Sequence, residues 1–314
     1  MTTTMTHTSG TTTGTSGTTR AVTAAPYVVK DPDDHSDTTV LVLGGTGKTG
    51  RRLVPLLKDH GARVRAASRR GPVRFDWDDP NTWEPALDGA EAVYLVDAQD
   101  RPGQWDAEAS IRAFAGLAVD RGVRRMVLLQ ARVTEQVGGK SLIAGERGVR
   151  ECGAEWTVLR PNWFFQNFDE GVFLDCVLAG ELPLPAGDGL EPFVDADDVA
   201  AVAAAALLED GHAGRTYELS GPRALTFGQV IDTIAHATGR DVRYHPVTHQ
   251  EYVDELLCYD VAADYALFLA DLAAQIRDSK NAEPTDDVRR VLGREPRDFD
   301  DFVKDAVARG VWDL

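Results

Sequence analysis

A short apolar run followed by regularly spaced glycines constrains this chain more than any other feature. Residues 40–43 (Val-Leu-Val-Leu) predict a buried parallel strand, and the apolar positions between 53 and 57 predict a helix that ends near Gly61. Between them, Gly44 would permit a tight turn, Gly47 the approach of a pyrophosphate, and Gly50 close packing of helix on strand. The G-x-x-G-x-x-G spacing is less common than G-x-G-x-x-G. Because strand and helix flank it as the motif requires, we favour a dinucleotide-binding loop over a plain turn, with the helix N-terminus facing the phosphates.

The end of the second predicted strand indicates which dinucleotide is bound. An acidic residue about 20 positions beyond the glycines would hold the ribose of NAD, but Ser68, Arg69 and Arg70 stand there instead. A guanidinium binds the 2′-phosphate of NADP, whereas a carboxylate repels it. The alternative is two solvated arginines in a loop; we favour NADP(H).

The remaining periodicity predicts a doubly wound α/β fold. Strands alternate with helices up to Pro161, as in a mostly parallel Rossmann sheet that binds its ligand at the carboxyl ends of the strands. Further on, residues 249–278 carry apolar side chains at helical spacing. We therefore expect a Thr/Gly/Ser-rich disordered tail and linker (1–37), a Rossmann domain (38–165), and a small, mostly helical substrate lobe interwoven with it (166–314).

Composition excludes several classes of function. The formal charge of −17 argues against a nucleic-acid surface, which needs basic patches. No uninterrupted apolar run is long enough to cross a bilayer, and residues 1–20 lack the pattern of a signal peptide. Cys152, Cys176 and Cys258 lie too far apart for a zinc motif and predict buried thiols in a reducing compartment. We expect a cytoplasmic monomer or homodimer that binds neither metal nor membrane.

The aromatic and amide-rich segment 162–168 predicts a small-molecule pocket, because it emerges at the carboxyl end of a strand. A hydrophobic plug beneath a loop is the alternative, and both descriptions can hold together. The candidate pocket residues are Asp97, Trp163, Phe164, Asn167 and Tyr259.

With these motifs laid out, the chain resembles the NmrA-like family of atypical short-chain dehydrogenase/reductases. The nearest subgroup contains the festuclavine and agroclavine dehydrogenases of ergot alkaloid biosynthesis. The resemblance covers residues 38–310 and rests on segments 44–52, 75–83, 156–164, 166–168, 183–189, 193–195, 197–200 and 216–222.

The resemblance implies an NADP(H)-dependent oxidoreductase of secondary metabolism and assigns the cofactor site by position. The glycine loop would line the diphosphate and Arg69 the 2′-phosphate. Asp76 and Trp77 would lie near the adenine, and residues 161–163 would approach the nicotinamide. The cofactor contacts that we predict are Gly44, Thr46, Gly47, Lys48, Thr49, Ser68, Arg69, Asp76, Trp77, Val96, Asp97, Gln130, Pro161 and Asn162.

One departure from the short-chain pattern leaves the chemistry open. The Tyr-x-x-x-Lys pair that protonates a carbonyl oxygen is replaced by Gly138 and Leu142, and the usual serine by Gln130-Ala131. Lys140 is nearby, but its register differs from that of the usual lysine.

Three hypotheses follow from that departure. The first is an NADPH-dependent reductase of a C=N or conjugated, quinone-like acceptor, which needs no strong proton donor. The second is a non-catalytic NADP-sensing regulator that acts on a protein partner. The third is a ketone reductase with a displaced donor, chosen from Tyr94, Tyr252, Tyr259 and Tyr265. In the first, a carboxylate would hold a cationic substrate; the candidates are Asp97, Asp100 and Asp169.

Overall fold

The computed structural model describes residues 35–96, 106–132, 136–137, 140–141 and 144–313. Residues 1–34 of the predicted disordered tail and linker (1–37) lie outside these residues, as do Asp97, Asp100, Gly138 and Leu142. All described residues belong to one compact unit, 33–314. The predicted boundary between a Rossmann domain and a substrate lobe therefore stays a prediction.

Strands and helices alternate along the chain. The strands are β1 (Thr39–Leu43), β2 (Arg63–Ser68), β3 (Val73–Arg74), β4 (Ala92–Val96), β5 (Arg125–Leu129), β6 (Gln136–Val137), β7 (Lys140–Ser141), β8 (Glu155–Pro161), β9 (Glu181–Leu184), β10 (Arg215–Leu219) and β11 (Arg243–Pro246). The helices are α1 (Gly50–Asp59), α2 (Trp83–Leu87), α3 (Ala107–Asp120), α4 (Ala144–Arg150), α5 (Leu174–Ala179), α6 (Ala196–Leu208), α7 (Phe227–Thr238), α8 (His249–Cys258), α9 (Ala263–Arg277), α10 (Asp287–Leu292) and α11 (Phe299–Ala308).

The main sheet has seven parallel strands in the order β10-β8-β5-β4-β1-β2-β3. The chain winds outward from β1 to β3 and then returns to β4, so the winding direction reverses between β1 and β4. In open α/β sheets a ligand binds at the carboxyl ends of the strands at such a reversal. The glycine loop leaves β1 at this point. The predicted doubly wound α/β fold is confirmed.

Both faces of the sheet are buried, which explains the apolar run in β1. Val40 and Val42 pack on the face covered by α1 and α6, whereas Leu41 and Leu43 pack on the opposite face beside α3. Alternate strand residues point to opposite faces, so a strand covered on both sides has no polar positions. A third cluster, rich in phenylalanine, fills the region after β8.

The structure differs from the sequence-based expectation in the region after β8. Helix α5 and strand β9 were not predicted, and β9 pairs in parallel with β11 in a separate two-stranded sheet. Pro183 lies inside β9 and removes a backbone donor, which a strand with one neighbour tolerates.

The predicted burial of the cysteines is wrong. Cys152 and Cys176 are half-buried and Cys258 is exposed; all are free thiols. Burial and two nearby carboxylates raise the pKa of Cys176. Among the described helices, none combines the length and the apolar character needed to cross a bilayer.

Candidate functional site

The glycine loop is shaped for a close-approaching ligand. Gly44 has a φ of +66°, which glycine adopts without strain, and its carbonyl accepts a hydrogen bond from Gly47 N at 2.8 Å. A Cβ on Gly50 would lie 2.2 Å from the carbonyl oxygen of Gly44, so only glycine fits where helix crosses loop. These are the roles predicted for Gly44 and Gly50.

The start of α1 presents donors for an anion. The backbone N–H groups of Thr49 and Gly50 have no acceptor among the described residues, as expected in the first turn of a helix. The Thr49 hydroxyl is buried and accepts a hydrogen bond from the Tyr94 hydroxyl at 2.9 Å. Thr46 and Gly47 are exposed. These residues fit the diphosphate of a dinucleotide, with Thr49 contributing its backbone N–H.

Cationic side chains are concentrated beside this loop, although the chain is acidic overall. Lys48 Nζ donates to Asn167 Oδ1 at 2.9 Å. Arg52 donates to the carbonyl oxygen of Lys48 and to Glu170, both at 2.9 Å, and Arg51 also pairs with Glu170. Burial, followed by the charge of Arg52, lowers the pKa of Arg51. The loop is thus tied to segment 162–171.

The end of β2 leaves a guanidinium exposed. The Ser68 carbonyl oxygen accepts from Gly71 N at 3.4 Å in a tight turn and from Phe75 N at 3.1 Å. Arg69 follows it, is exposed, and makes no ion pair with any residue that the structure describes. A guanidinium without a protein carboxylate remains available to a phosphate.

The predicted adenine neighbours belong partly to the core. Trp77 is 8% exposed, packs against Phe75 and Phe114, and donates its indole N–H to the Val96 carbonyl oxygen at 3.2 Å. Asp76 is half-buried, and its carboxylate accepts from Asp78 N at 3.1 Å. Trp77 therefore fixes the end of β4 from within the core.

At the carboxyl end of β8 the structure contains a buried polar network that we did not predict. The amide of Asn162 donates to Glu191 Oε1 at 2.7 Å and accepts from Arg132 Nη1 at 2.9 Å. Glu191 also accepts from Trp163 N at 3.1 Å, and Arg132 pairs with Glu218 at 3.0 Å. The amide nitrogen and the amide oxygen of Asn162 are thus both hydrogen-bonded, next to the position predicted for the nicotinamide.

Asn162 was predicted to contact the cofactor, but its network partners Arg132 and Glu191 were not. Arg132 lies three residues beyond the end of β5, so its place near a strand's carboxyl end was a usable signal. Glu191 lies in the loop between segments 183–189 and 193–195, which carry the family resemblance but gave this glutamate no role. Gln130 is 1% exposed and its N–H donates to the Leu159 carbonyl oxygen at 2.8 Å, so it extends the pairing of β5 with β8.

Burial raises the pKa of Glu191 from 4.5 to about 7, while hydrogen bonds from Asn162 and Trp163 N and the charge of Arg132 oppose the shift. A carboxyl group whose pKa is higher in the folded chain adds stability below its unfolded pKa, and that contribution is lost as the pH rises through the folded value. The contribution of Glu191 to the unfolding free energy therefore falls as the pH rises from about 4.5 to about 7.

We expect Glu191→Gln to remove this pH dependence, because the neutral amide oxygen still accepts from Asn162 and Trp163. From about pH 5 to about pH 8, the wild type should lose unfolding free energy of the order of 3 kcal/mol that the variant does not lose. Denaturant unfolding of both proteins at the two pH values measures it. The exposed Glu255→Gln is the matched control, and parallel profiles for Glu191→Gln and wild type would contradict the assignment.

The predicted substrate residues Trp163, Phe164 and Asn167 follow β8 closely along the chain. The Trp163 ring stacks on Phe173 with centroids 5.8 Å apart, and Phe164 pairs with Val194 in an isolated parallel bridge. Asn167 is 9% exposed. In contrast, Tyr259 ends α8 and is 73% exposed.

Asp169 does not face an open pocket. Its side chain is 1% exposed and its Oδ2 pairs with Arg309 at 2.9 Å, although burial raises its pKa. The suggestion that Asp169 holds a cationic substrate is therefore wrong.

Three of the four tyrosines considered as displaced donors are at least partly withdrawn from solvent. Tyr94 is fully buried and its hydroxyl donates to Thr49; burial raises its pKa. Burial raises the pKa of Tyr252 to about 12. The Tyr265 ring stacks on Phe268 with centroids 6.1 Å apart. A higher pKa makes a hydroxyl a weaker proton donor at neutral pH.

Two cavities lined by described residues lie away from the glycine loop. One of about 680 Å³ adjoins α2 and Arg121, at the amino ends of the strands. The other, of about 420 Å³, lies along the β10 edge of the sheet. Within the described part of the chain, no cluster of histidine, cysteine and acidic side chains is arranged to hold a metal ion.

Comparison with known proteins gives relatives that cover most of the chain. An uncharacterized oxidoreductase of Bacillus subtilis, YesF, is 34% identical over 271 residues, which are 84% of this chain and 93% of that protein. Agroclavine dehydrogenase of Claviceps fusiformis is 31% identical over 288 residues, covering 87% of this chain and 98% of that protein.

The fold also matches solved structures. Triphenylmethane reductase of Citrobacter, crystallised with NADP(H), superposes with a TM-score of 0.67 at 21% identity, covering 85% of this chain and 99% of that one. The NmrA-like family matches residues 36–303. The chain belongs to the NmrA-like family.

Proposed function

We propose that this protein is an NADPH-dependent reductase that passes a hydride to a small-molecule acceptor with a C=N or conjugated, quinone-like group. The single observation that carries the proposal is the glycine loop at the reversal point of the sheet. There the helix start offers backbone donors, Gly50 leaves room only for hydrogen, and Lys48 supplies a cation.

Different residues around the glycine loop would bind different parts of the cofactor. Thr49 and Gly50 would hold the diphosphate through their backbone N–H groups, with Lys48 beside them. Arg69 would bind the 2′-phosphate and favour NADPH over NADH. The cofactor contacts predicted from the sequence remain part of this proposal.

The nicotinamide, when bound, supplies the hydride. The chain's contribution is position: the Arg132–Asn162–Glu191 network fixes the end of β8, and Trp163 forms part of the wall there. Holding the hydride donor and the acceptor in line lowers the activation barrier, because the entropy cost of bringing them together is met when they bind.

The choice of acceptor follows from the missing proton donor. Gly138 and Leu142 stand where the short-chain pattern has Tyr and Lys. A ketone reduced by hydride leaves an alkoxide that needs a proton, whereas an iminium carbon becomes a neutral amine directly. The similarity to agroclavine dehydrogenase and to a triphenylmethane reductase supports an acceptor of this kind.

A regulator that binds NADP without turnover is the second candidate, because the same loop would serve it. The exposed Tyr259 keeps a ketone reductase with a displaced donor as the third. For all three the ligand is a small molecule, and the net charge of −17 disfavours nucleic acid.

A turnover screen separates the three. Purified protein is mixed with NADPH and with iminium, quinone and ketone compounds, and NADPH oxidation is followed by absorbance. We expect turnover of iminium or quinone compounds and none of simple ketones. Ketone turnover abolished by Tyr259→Phe would favour the third candidate, and tight NADPH binding without any turnover would favour the regulator.

A further inference from the structure

The predicted cofactor loop and the predicted substrate segment meet at one hydrogen bond. Lys48 Nζ donates to Asn167 Oδ1 at 2.9 Å, although 119 positions separate the two residues. We propose that Asn167 is a positioning residue that holds the Lys48 ammonium at the phosphate-binding end of α1. This inference rests on the proposed NADPH site and deepens it.

Asn167 is itself held firmly. It lies in a short 3₁₀ turn, is 9% exposed, and its backbone N–H donates to the Phe164 carbonyl oxygen at 3.1 Å. Its own carbonyl oxygen accepts from Phe173 N at 2.9 Å. The side chain therefore presents its oxygen to Lys48 from a fixed backbone.

The surroundings of Lys48 reinforce this placement. A Cβ on Gly171 would lie 2.9 Å from Lys48 Nζ, so the 167–171 segment closes tightly over the ammonium. Arg52 donates to the backbone carbonyl oxygen of Lys48 and pairs with Glu170 of the same segment. Both the side chain and the backbone of Lys48 are thus fixed by residues 167–171.

The chemistry of the contact explains why it would aid phosphate binding. A lysine side chain has several rotatable bonds, and ordering it on a phosphate costs entropy. A hydrogen bond to a neutral amide orders the ammonium while leaving its charge in place, whereas a carboxylate would neutralise it. An amide at position 167 therefore orders Lys48 in advance of the phosphate.

A double-mutant cycle on NADPH binding tests the proposal. The dissociation constants are measured for wild type, Asn167→Ala, Lys48→Met and the double variant. We expect Asn167→Ala to weaken binding about 3- to 10-fold and Lys48→Met about 10- to 100-fold. The double variant should match Lys48→Met, because Asn167 acts only through the ammonium.

A conservative variant separates position from charge. Asn167→Asp keeps an oxygen in place but neutralises Lys48, so it should weaken NADPH binding more than Asn167→Ala at low salt, and less so as salt rises. Asn81→Ala, an exposed amide whose Nδ2 donates to Asp79 at 3.0 Å, is the control and should bind like wild type.

Different experimental results would refute this inference and the proposed function. Wild-type protein that fails to bind NADPH would refute the proposed function itself. If wild type binds NADPH and Asn167→Ala causes the same loss in the wild-type and Lys48→Met backgrounds, only the role of Asn167 is overturned, because the effect is then independent of Lys48.

Discussion

The Gly50→Ala variant is expected to lose NADPH binding and part of its stability. The added Cβ would lie 2.2 Å from the carbonyl oxygen of Gly44 and 2.9 Å from Cα of Gly45. Both contacts are with backbone, so no side chain can move aside, and α1 must shift away from the loop. Overpacking of this kind costs about 1–3 kcal/mol of unfolding free energy.

The effect on the cofactor should exceed the effect on stability. The backbone donors of Thr49 and Gly50 move with the helix, and a misplacement of about 1 Å costs of the order of 100-fold where geometry decides. Titration with NADPH measures the loss of affinity, and denaturant unfolding measures the loss of stability.

Gly116 provides the matched control. It lies inside α3, and a Cβ there would meet nothing within 4 Å beyond the helix's own backbone. Gly116→Ala should bind NADPH normally and gain about 0.5–1 kcal/mol, because alanine favours helix more than glycine. Normal NADPH affinity in Gly50→Ala would refute the assignment of this loop.

Arg69→Ala should reduce the preference for NADPH over NADH about 10- to 100-fold. The exposed guanidinium follows β2 with no carboxylate partner among the described residues, so a 2′-phosphate would gain its charge-assisted hydrogen bonds. We expect about 10- to 100-fold weaker NADPH binding and unchanged NADH binding, as for loss of a bidentate charged contact. Paired titrations with NADPH and NADH give both values.

The control must remove the same charge elsewhere. Arg124 pairs with Glu91 and its side chain is 77% exposed, just before β5 at the amino ends of the strands. Arg124→Ala should leave both affinities unchanged. An equal loss of NADPH and NADH affinity in Arg69→Ala would show that Arg69 does not bind the 2′-phosphate.

The parts of the structure that the sequence predicted are those encoded over short distances. The strand β1, the glycine loop and α1 follow one another within residues 39–59. Periodicity reports on neighbours along the helix or strand, so these features are visible in a single sequence.

The parts that escaped prediction depend on distant partners. The contact between Lys48 and Asn167 spans 119 positions, and that between Asn162 and Glu191 spans 29. No local pattern marks a buried glutamate in a loop. Strand β9 escaped because Pro183 interrupts its pattern, and only its pairing with β11 makes it a strand.

In the candidate site, too, local features were predicted and contacts between distant residues were not. The sequence placed Asn167 in a substrate pocket and Lys48 on the diphosphate, and the structure joins the two side chains directly. It also shows the side chain of Trp77 packed in the core, where the family resemblance implied a neighbour of the adenine. An aromatic residue after a strand satisfies either interpretation until its burial is known.

The most direct test of the account is the fate of the hydride. NADPH carrying two deuterium atoms at the reactive carbon of the nicotinamide is incubated with the protein and an iminium or conjugated acceptor that forms a non-exchanging C–D bond, and the product is analysed by mass spectrometry. We predict deuterium in the reduced acceptor with wild-type protein and a loss of transfer in Gly50→Ala. Tight NADPH binding without deuterium in any acceptor would contradict the account and leave a protein that binds the dinucleotide without using it.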